Sequence, residues 1–149
     1  IALYEEIETL EIYLSLENLR SDGALNYTIY KEPTINPYET YIPVMLVQPF
    51  VENAIKHGLL HKQGDKQLKI IFEITEENRL RCIVEDNGIG RAASTKLKGS
   101  QHMSFATQAI DNKTELVNQS SKRDISINIV DLVENNFATG TRVIIELKK

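Results

Sequence analysis

The 149-residue sequence contains one cysteine, Cys82, and no long run of apolar residues. A single cysteine excludes a disulfide framework within the chain and suits a reducing compartment. No apolar stretch approaches the roughly 20 residues that a membrane-spanning helix needs, and no secretory signal pattern is visible. Three histidines and one cysteine at these spacings match no zinc-binding pattern. Cys82 lies on the same face of a predicted strand as Leu80 and Val84, which indicates a buried, inert thiol.

Basic residues are outnumbered, because 17 Lys and Arg face 21 Asp and Glu, and the net charge is −4. Proteins that bind nucleic acid normally carry a basic surface, so this balance disfavours a nucleic-acid partner. The sequence likewise lacks a P-loop, a Rossmann fingerprint and a nucleophile elbow. Hydrophobic residues at 42% and charged residues at 26% are ordinary for one globular domain of this length.

Two helices and a strand are predicted in the first part of the chain. Residues 3–20 carry two apolar stripes, which favours a helix packed on both sides or against a partner helix. One stripe consists of Leu3, Ile7, Leu10 and Leu14, and the other of Ile12, Leu16 and Leu19. Alternation over residues 25–29 predicts a strand. Residues 41–59 predict a second helix, with Pro43 in its first turn and, at Pro49, either a kink or two abutting helical pieces.

The middle of the chain predicts two strands, a loop and a third helix. Alternation over residues 68–74 and 80–85 predicts a hairpin. Residues 88–103 are rich in glycine, serine and lysine without periodicity, which predicts a mobile loop. Ser104 is a candidate N-cap for a helix that carries apolar residues as far as Val117.

The last two strands are predicted at residues 125–129 and 143–147, with Gly140-Thr141 as the turn between them. This order of elements predicts a two-layer α/β sandwich, in which a mixed sheet of about five strands is covered by helices.

Three polar side chains occur together in the second predicted helix, within Val-Glu-Asn-Ala-Ile-Lys-His-Gly. Asn53 offers a neutral oxygen, which suffices for a magnesium ion that takes its other ligands from water and phosphate. Lys56 and His57 follow three and four residues later, so the three side chains can project into one cavity and meet phosphate or ribose. Taken singly, each is more often a solvated or locally bonded residue, and Glu52 can form an exposed pair with Lys56.

A carboxylate and two glycines follow the strand predicted at residues 80–85. Asp86 can accept a hydrogen bond from the exocyclic amine of adenine, and Gly88 and Gly90 allow the backbone to pass close to a planar base. Thr141 can place a hydroxyl near the Asp86 carboxylate, directly or through water. Taken alone, each of these segments is a common turn sequence, and a plain turn is the simpler interpretation.

These segments, in this order, resemble the motifs of the GHKL ATP-binding superfamily, which includes histidine kinases, gyrase and MutL. The sequences Val-Glu-Asn-Ala-Ile-Lys-His-Gly, Asp-Asn-Gly-Ile-Gly and Gly-Thr resemble its N box, G1 box and terminal glycine-threonine. Residues 42–43 together with residues 48–58 are more specifically similar to the LytS-type bacterial sensor histidine kinases. Residues 3–20 are similar to the helix that precedes the catalytic domain there.

The resemblance implies a Bergerat sandwich over residues 23–149, preceded at residues 1–22 by the end of a dimerisation and histidine-phosphotransfer helix. The implied cofactors are ATP and Mg²⁺. Asn53 and Lys56 would be catalytic, with Asn53 as the magnesium ligand, and residues 91–104 would form the ATP lid. The implied nucleotide-binding residues are Asn53, Lys56, His57, Asp86, Gly88, Gly90, Ser104, Ala106 and Thr141.

The function that the resemblance implies is that of a protein-histidine kinase, which transfers the γ-phosphoryl group of ATP to a histidine for relay to a response regulator. The acceptor would lie upstream, because the three histidines here lack its Pro-His-Phe-Leu-Phe-Asn-like context. The chain alone is therefore not expected to phosphorylate itself. The parent would be a homodimer held in the bacterial inner membrane by missing upstream segments, with this domain in the cytoplasm.

Two positions depart from the superfamily pattern. Pro49 stands where gyrase-like members carry a glutamate that activates water, which disfavours steady ATP hydrolysis but not phosphoryl transfer to a histidine. Ala106 stands where a glycine is frequent after the lid, which bears on nucleotide affinity. The alternatives are a degenerate module that signals by protein contact with weak or no nucleotide binding, and an ATP-driven clamp, which Pro49 disfavours.

Overall fold

The computed structural model describes residues 1–91 and 125–148. Its elements, in chain order, are the helix α1 Leu3–Arg20, the strand β1 Leu25–Lys31, the helix α2 Gln48–Asn53, a π-helix Ala54–Leu59, and the strands β2 Lys66–Ile74, β3 Arg79–Asp86, β4 Ile125–Glu134 and β5 Phe137–Lys148. Across these residues the strands form one sheet in the order β1-β2-β3-β5-β4, in which β1 is parallel to β2 and the other neighbours are antiparallel. The predicted α/β sandwich with a mixed five-stranded sheet is confirmed.

The core lies between one face of the sheet and the helices. Every second residue of the central strands is buried, because successive side chains of a strand point to opposite faces. The buried apolar residues of β2, β3 and β5 are Leu68, Ile70, Phe72, Leu80, Cys82, Val84, Val143, Ile145 and Leu147. Burial raises the pKa of the Cys82 thiol well above its usual range, which agrees with the prediction of an inert thiol.

Helix α1 packs one of its two apolar stripes on the core. Leu3, Leu10 and Leu14 are fully buried. The fourth buried residue of this stripe is Glu6, which is only 2% exposed, whereas the expected Ile7 is partly buried. The second stripe, formed by Ile12, Leu16 and Leu19, is 58%, 59% and 75% exposed. Packing on both sides of α1 is therefore seen on one side only within the described residues.

The second helix begins later than predicted. It starts at Gln48, and Pro49 lies in its first turn, where the missing N–H needs no intrahelical partner. Met45 has a positive φ of 61°, which is incompatible with a continuous helix and leaves Pro43 outside it. The prediction of a kink or of two abutting helical pieces at Pro49 is wrong, since two helical segments meet instead at Ala54, where α2 passes into the π-helix.

The turn between β4 and β5 lies at Asn135-Asn136, and the predicted turn at Gly140-Thr141 is wrong. Both asparagines have positive φ, 52° and 66°, which asparagine tolerates better than most residues. Gly140 and Thr141 lie inside β5, and Thr141 is the partner of Asp86 in the antiparallel pairing of β5 with β3. The two predicted site residues, Asp86 and Thr141, therefore lie side by side on neighbouring strands.

Several predictions fall on residues 92–124, outside the described parts of the chain. They concern the helix beginning at Ser104, most of the mobile loop and lid, and the site residues Ser104 and Ala106, and they stay predictions. Within the described ranges, no helix is both long and apolar enough to cross a membrane.

Candidate functional site

The carboxylate of Asp86 is buried at the end of β3, where the residue is 5% exposed. The Gly88 N–H donates to Asp86 Oδ1 at 2.8 Å, and the backbone N–H of Thr141 donates to the same carboxylate from β5. Burial raises the pKa of Asp86 to about 6, and Glu85 adds to this rise. The two N–H groups and the Lys62 ammonium act in the opposite direction. Asp86 is therefore charged at neutral pH but binds a proton more tightly than an exposed aspartate.

Asp86 retains the capacity to accept a hydrogen bond from a ligand. An ionised carboxylate offers about four lone-pair positions, and the backbone N–H groups of Gly88 and Thr141 use two of them. Hydrogen bonds are stronger in a buried environment than in water. A ligand that presents an N–H donor here would offset part of the cost of burying the charge.

Three glycines, Gly58, Gly88 and Gly140, surround Asp86 and are called here the glycine cradle. A Cβ on Gly58 would lie 2.8 Å from Asp86 Oδ1, and a Cβ on Gly88 would overlap the Gly58 backbone. A Cβ on Gly140, whose φ is +150°, would overlap the Asp86 backbone oxygen. The Ile89 N–H also donates to the Gly58 carbonyl at 3.1 Å. The cradle thus requires glycine, and it joins the π-helix, the end of β3 and β5 around one carboxylate.

The protein itself makes close use of Gly88 and Gly90. Gly88 packs directly against the Gly58 backbone. Gly90 has a φ of +86°, and a Cβ added to it would lie 2.9 Å from the Cβ of Ala138. These contacts account for glycine at both positions without a ligand. Their approach to a planar base stays a prediction.

Asn53 is the last residue of α2 and is half-buried, and no described residue forms a hydrogen bond with its side chain. His57 is also half-buried, whereas Lys56 is exposed. The prediction of one shared face assumed α-helical spacing, but these residues enter a π-helix, where the Leu60 N–H reaches the Ile55 carbonyl at 2.9 Å. The wider turn changes which side chains share a face, and a π-helix of this kind is frequent at functional sites.

Glu52 is oriented by α2 itself. Its Oε1 accepts from the Gln48 Nε2 at 3.3 Å, and the predicted exposed pair between Glu52 and Lys56 is absent among the described contacts. The Lys56 ammonium is left without an ion-pair partner in the described part of the chain, so it is available to an anionic ligand.

Two contributors to the site carried too little signal to be predicted from sequence. Asn87 clamps the start of β2, because its Oδ1 accepts from the Gln67 N–H at 2.8 Å and its Nδ2 donates to the Asp65 carbonyl at 3.0 Å. This clamp holds the turn after Asp86, and an asparagine in an Asp-Asn-Gly turn was its only trace. Lys62, which lowers the Asp86 pKa, belongs to no recognisable motif.

Arg91, the first residue of the predicted lid, is bound to β4. Its Nε and Nη2 donate to the two carboxylate oxygens of Asp131, each at 2.8 Å. The Arg91 hydrogen bond holds the pKa of Asp131 below its usual range. The chain is therefore tied to the sheet at the point where the predicted lid begins.

The described residues contain no group of three or more His, Cys, Asp or Glu side chains that could hold a metal ion. A magnesium ion here would need oxygens from a ligand in addition to the Asn53 amide. The Asn53 side chain is half-buried and forms no hydrogen bond with the described residues, which fits that requirement, because magnesium commonly combines one or two protein oxygens with phosphate and water.

The sequence has relatives among bacterial sensor kinases, although no family model matches it. Over 95 residues, or 63% of the chain, it is 36% identical to an uncharacterized sensor-like histidine kinase of Staphylococcus epidermidis. Over 90 residues, or 60% of the chain, it is 33% identical to the sensor histidine kinase/phosphatase LytS of Staphylococcus aureus. These matches cover 17% and 15% of the two relatives, so the chain corresponds to a small part of each.

Solved structures with the same fold are also histidine kinases. The nucleotide-free catalytic domain of histidine kinase ThkA matches with a TM-score of 0.63 at 12% identity, covering 100% of this chain and 94% of that domain. The blue-light-activated histidine kinase of Erythrobacter litoralis matches with a TM-score of 0.56 at 18% identity, covering 99% of this chain and 42% of that one. At these identities the likeness shows the fold alone.

The raised pKa of Asp86 predicts a stability effect that can be measured without any ligand. Between pH 4 and pH 6 the folded chain binds the Asp86 proton more tightly than the unfolded chain, so the Asp86 contribution to stability falls as pH rises. The rise from 3.8 to about 6 corresponds to about 3 kcal/mol. The free energy of unfolding of Asp86→Asn, relative to that of wild type, should therefore increase by up to about 3 kcal/mol as the pH rises from 4 to 8.

Chemical denaturation at several pH values measures this difference. Asp131→Asn is the control of opposite sign, because the pKa of Asp131 is lowered by Arg91 and its loss should destabilise the fold more at pH 7 than at low pH. If the difference in free energy of unfolding between Asp86→Asn and wild type were the same at pH 4 and pH 8, the pKa of Asp86 would not be raised by folding.

Proposed function

We propose that this chain, whose relatives are LytS-type sensor histidine kinases and whose fold is that of a histidine-kinase catalytic domain, binds ATP with magnesium and donates its γ-phosphoryl group to a histidine. The observation that carries the proposal is the buried, ionised Asp86 inside the glycine cradle, beside the helix that ends in Asn53. Buried carboxylates are uncommon in proteins, and among the described residues this one is held by backbone N–H groups rather than by a direct ion pair.

The base would be recognised by Asp86. Its remaining lone pairs would accept a hydrogen bond from the exocyclic amine of adenine. The backbone of the glycine cradle packs closely around the carboxylate. A charged acceptor makes a stronger hydrogen bond than a neutral one, which favours adenine over bases that present an oxygen at the same position.

The triphosphate would lie toward α2 and the π-helix. Asn53 would contribute one oxygen to a magnesium ion that also binds phosphate oxygens, and the ion neutralises charge on the transferred group when it is bound. Lys56, exposed and without a described anionic partner, would meet phosphate, and His57 would meet phosphate or ribose. Pro49 provides no general base, which suits transfer to an imidazole rather than to water.

The acceptor and the partners are those of a two-component system. The acceptor histidine would belong to the dimerisation region, outside this chain, and a response regulator would receive the phosphoryl group. The parent would act as a homodimer, with this domain on the cytoplasmic side of the membrane that holds its sensor segments. The partly exposed α1 is the element through which such a region would continue.

The role of Asn53 can be tested through the magnesium dependence of binding. In wild type, magnesium should strengthen binding of a non-hydrolysable ATP analogue, as measured by titration calorimetry. Asn53→Ala should lose most of this enhancement while keeping the affinity measured without magnesium, because the side chain makes no described structural contact. Asn128→Ala, which removes an exposed asparagine on β4 that forms no hydrogen bond with the described residues, is the matched control. Equal enhancement in Asn53→Ala and wild type would remove Asn53 from the metal site.

The position of the acceptor can be tested by labelling. With γ-labelled ATP, the chain alone should remain unlabelled, because His57, His61 and His102 lack the sequence context of the acceptor. Addition of a LytS-type protein that carries the acceptor helix, with its own nucleotide site inactivated, should yield acid-labile label on that protein. Acid-labile label on the isolated chain would show that one of its three histidines is the acceptor.

A further inference from the structure

Glu6 is the ionisable residue in the core-facing stripe of α1, and the proposed function does not use it. It lies between Leu3 and Leu10, which are fully buried, and is itself only 2% exposed. A carboxylate taken out of water is costly unless it accepts hydrogen bonds in return. A leucine at this position would complete the stripe at no such cost, so the contacts of Glu6 need an explanation.

The Glu6 carboxylate caps the first turn of α2, more than forty residues away in the chain. Its Oε1 accepts from the Val47 N–H at 3.2 Å and from the Gln48 N–H at 3.1 Å. Val47 is the N-cap residue, and its apolar side chain provides no cap of its own. Pro49 has no N–H to satisfy. Glu6 therefore supplies, from another helix, an acceptor for the two N–H groups that precede Pro49 at the start of α2.

The Glu6 carboxylate also lies where a helix favours a negative charge. The first N–H groups of a helix carry a partial positive charge, and an anion beside them stabilises the helix start. This attraction fixes the position of α2 along its own axis relative to α1. A purely apolar contact between the two helices would allow sliding, because hydrophobic burial is not directional.

The opposite end of the same helical segment is fixed by the glycine cradle. α2 ends at Asn53 and continues into the π-helix, whose Gly58 packs against Asp86. Between the two ends, Phe50 and Val51 are buried in the core. Asn53 is thus carried by a short segment held at its start by Glu6 and at its end by the cradle.

We propose that Glu6 is a positioning residue for the magnesium ligand: by capping α2 it holds Asn53 in register with the triphosphate, and so couples α1 to the nucleotide site. The inference rests on the proposed function. A displacement of α1 that withdraws Glu6 releases the start of α2 and weakens the magnesium contact. The base contact at Asp86 persists, because the cradle holds it independently.

The test is the magnesium enhancement of binding, defined as the dissociation constant of a non-hydrolysable ATP analogue without magnesium divided by that with magnesium. Glu6→Gln keeps the shape of the side chain but loses its charge and brings an NH₂ group against two N–H donors. It should reduce the enhancement about fivefold or more, with the affinity measured without magnesium changed less than about twofold. The amides of Val47 and Gln48 should exchange with deuterium faster.

Leu14→Ala is the matched control, because it deletes a fully buried side chain of the same helix that makes no cap. It should lower stability and leave the magnesium enhancement intact. An unchanged enhancement in Glu6→Gln, or an equal loss in Leu14→Ala, would overturn the inference. If Glu6→Gln does not fold, Glu6→Asp, which keeps the charge at shorter reach, replaces it, and failure of both to fold at 10 °C would show that Glu6 holds the fold and would also overturn the inference.

Failure of the proposed function gives a different result from failure of this inference. If wild type binds no ATP analogue, or binds it without magnesium enhancement, the proposed function is contradicted, and the inference that rests on it is contradicted as well. If wild type shows the enhancement and Glu6→Gln retains it, only the positioning role of Glu6 is contradicted.

Discussion

The burial of the Asp86 carboxylate is the constraint on which the site depends. A charge at this position needs donors, and the backbone N–H groups of Gly88 and Thr141 provide them, which fixes the turn after β3 against β5. The donors can come this close only because the glycine cradle has no side chains there. The same close packing brings the π-helix, and with it the segment after Asn53, against the carboxylate. One buried charge thus orders the three backbone segments that meet at the site.

A second buried carboxylate, Glu6, stands at the other end of the α2 segment. Both acids are bonded by backbone N–H groups, and for both the cost of burial is offset by main-chain donors. Main-chain donors are fixed by the fold, so such contacts specify position more sharply than exposed ion pairs between flexible side chains do. The short helix between these two acids carries the proposed magnesium ligand. Its geometry therefore depends on α1 as well as on the sheet.

The strands and the class of fold could be predicted from sequence, because alternation of apolar residues directly reflects a sheet with one buried face. The position of α2 could not, since Pro43 and Pro49 both suit a first turn and only the positive φ of Met45 separates them. Gly140 was mistaken for a turn because the close approach of Asp86 is a contact across strands, whereas turn rules describe neighbours in the chain. The role of Glu6 could not be predicted either, because it depends on a partner more than forty residues away in the chain. The site residues could be grouped from the order of the motifs in the sequence. Their contacts with ATP stay predictions.

The proposal that Asp86 binds the exocyclic amine of adenine is tested most directly by comparing the affinities for adenine and guanine nucleotides. Titration calorimetry of the wild-type chain would compare non-hydrolysable analogues of ATP and GTP, each with magnesium at pH 8, where Asp86 is ionised. Guanine presents a carbonyl oxygen where adenine presents the amine, so it would face the carboxylate with a second acceptor. The account predicts saturable binding of one ATP analogue per chain and at least about tenfold weaker binding of the GTP analogue. Equal affinity for the two analogues, or no binding of either, would contradict it.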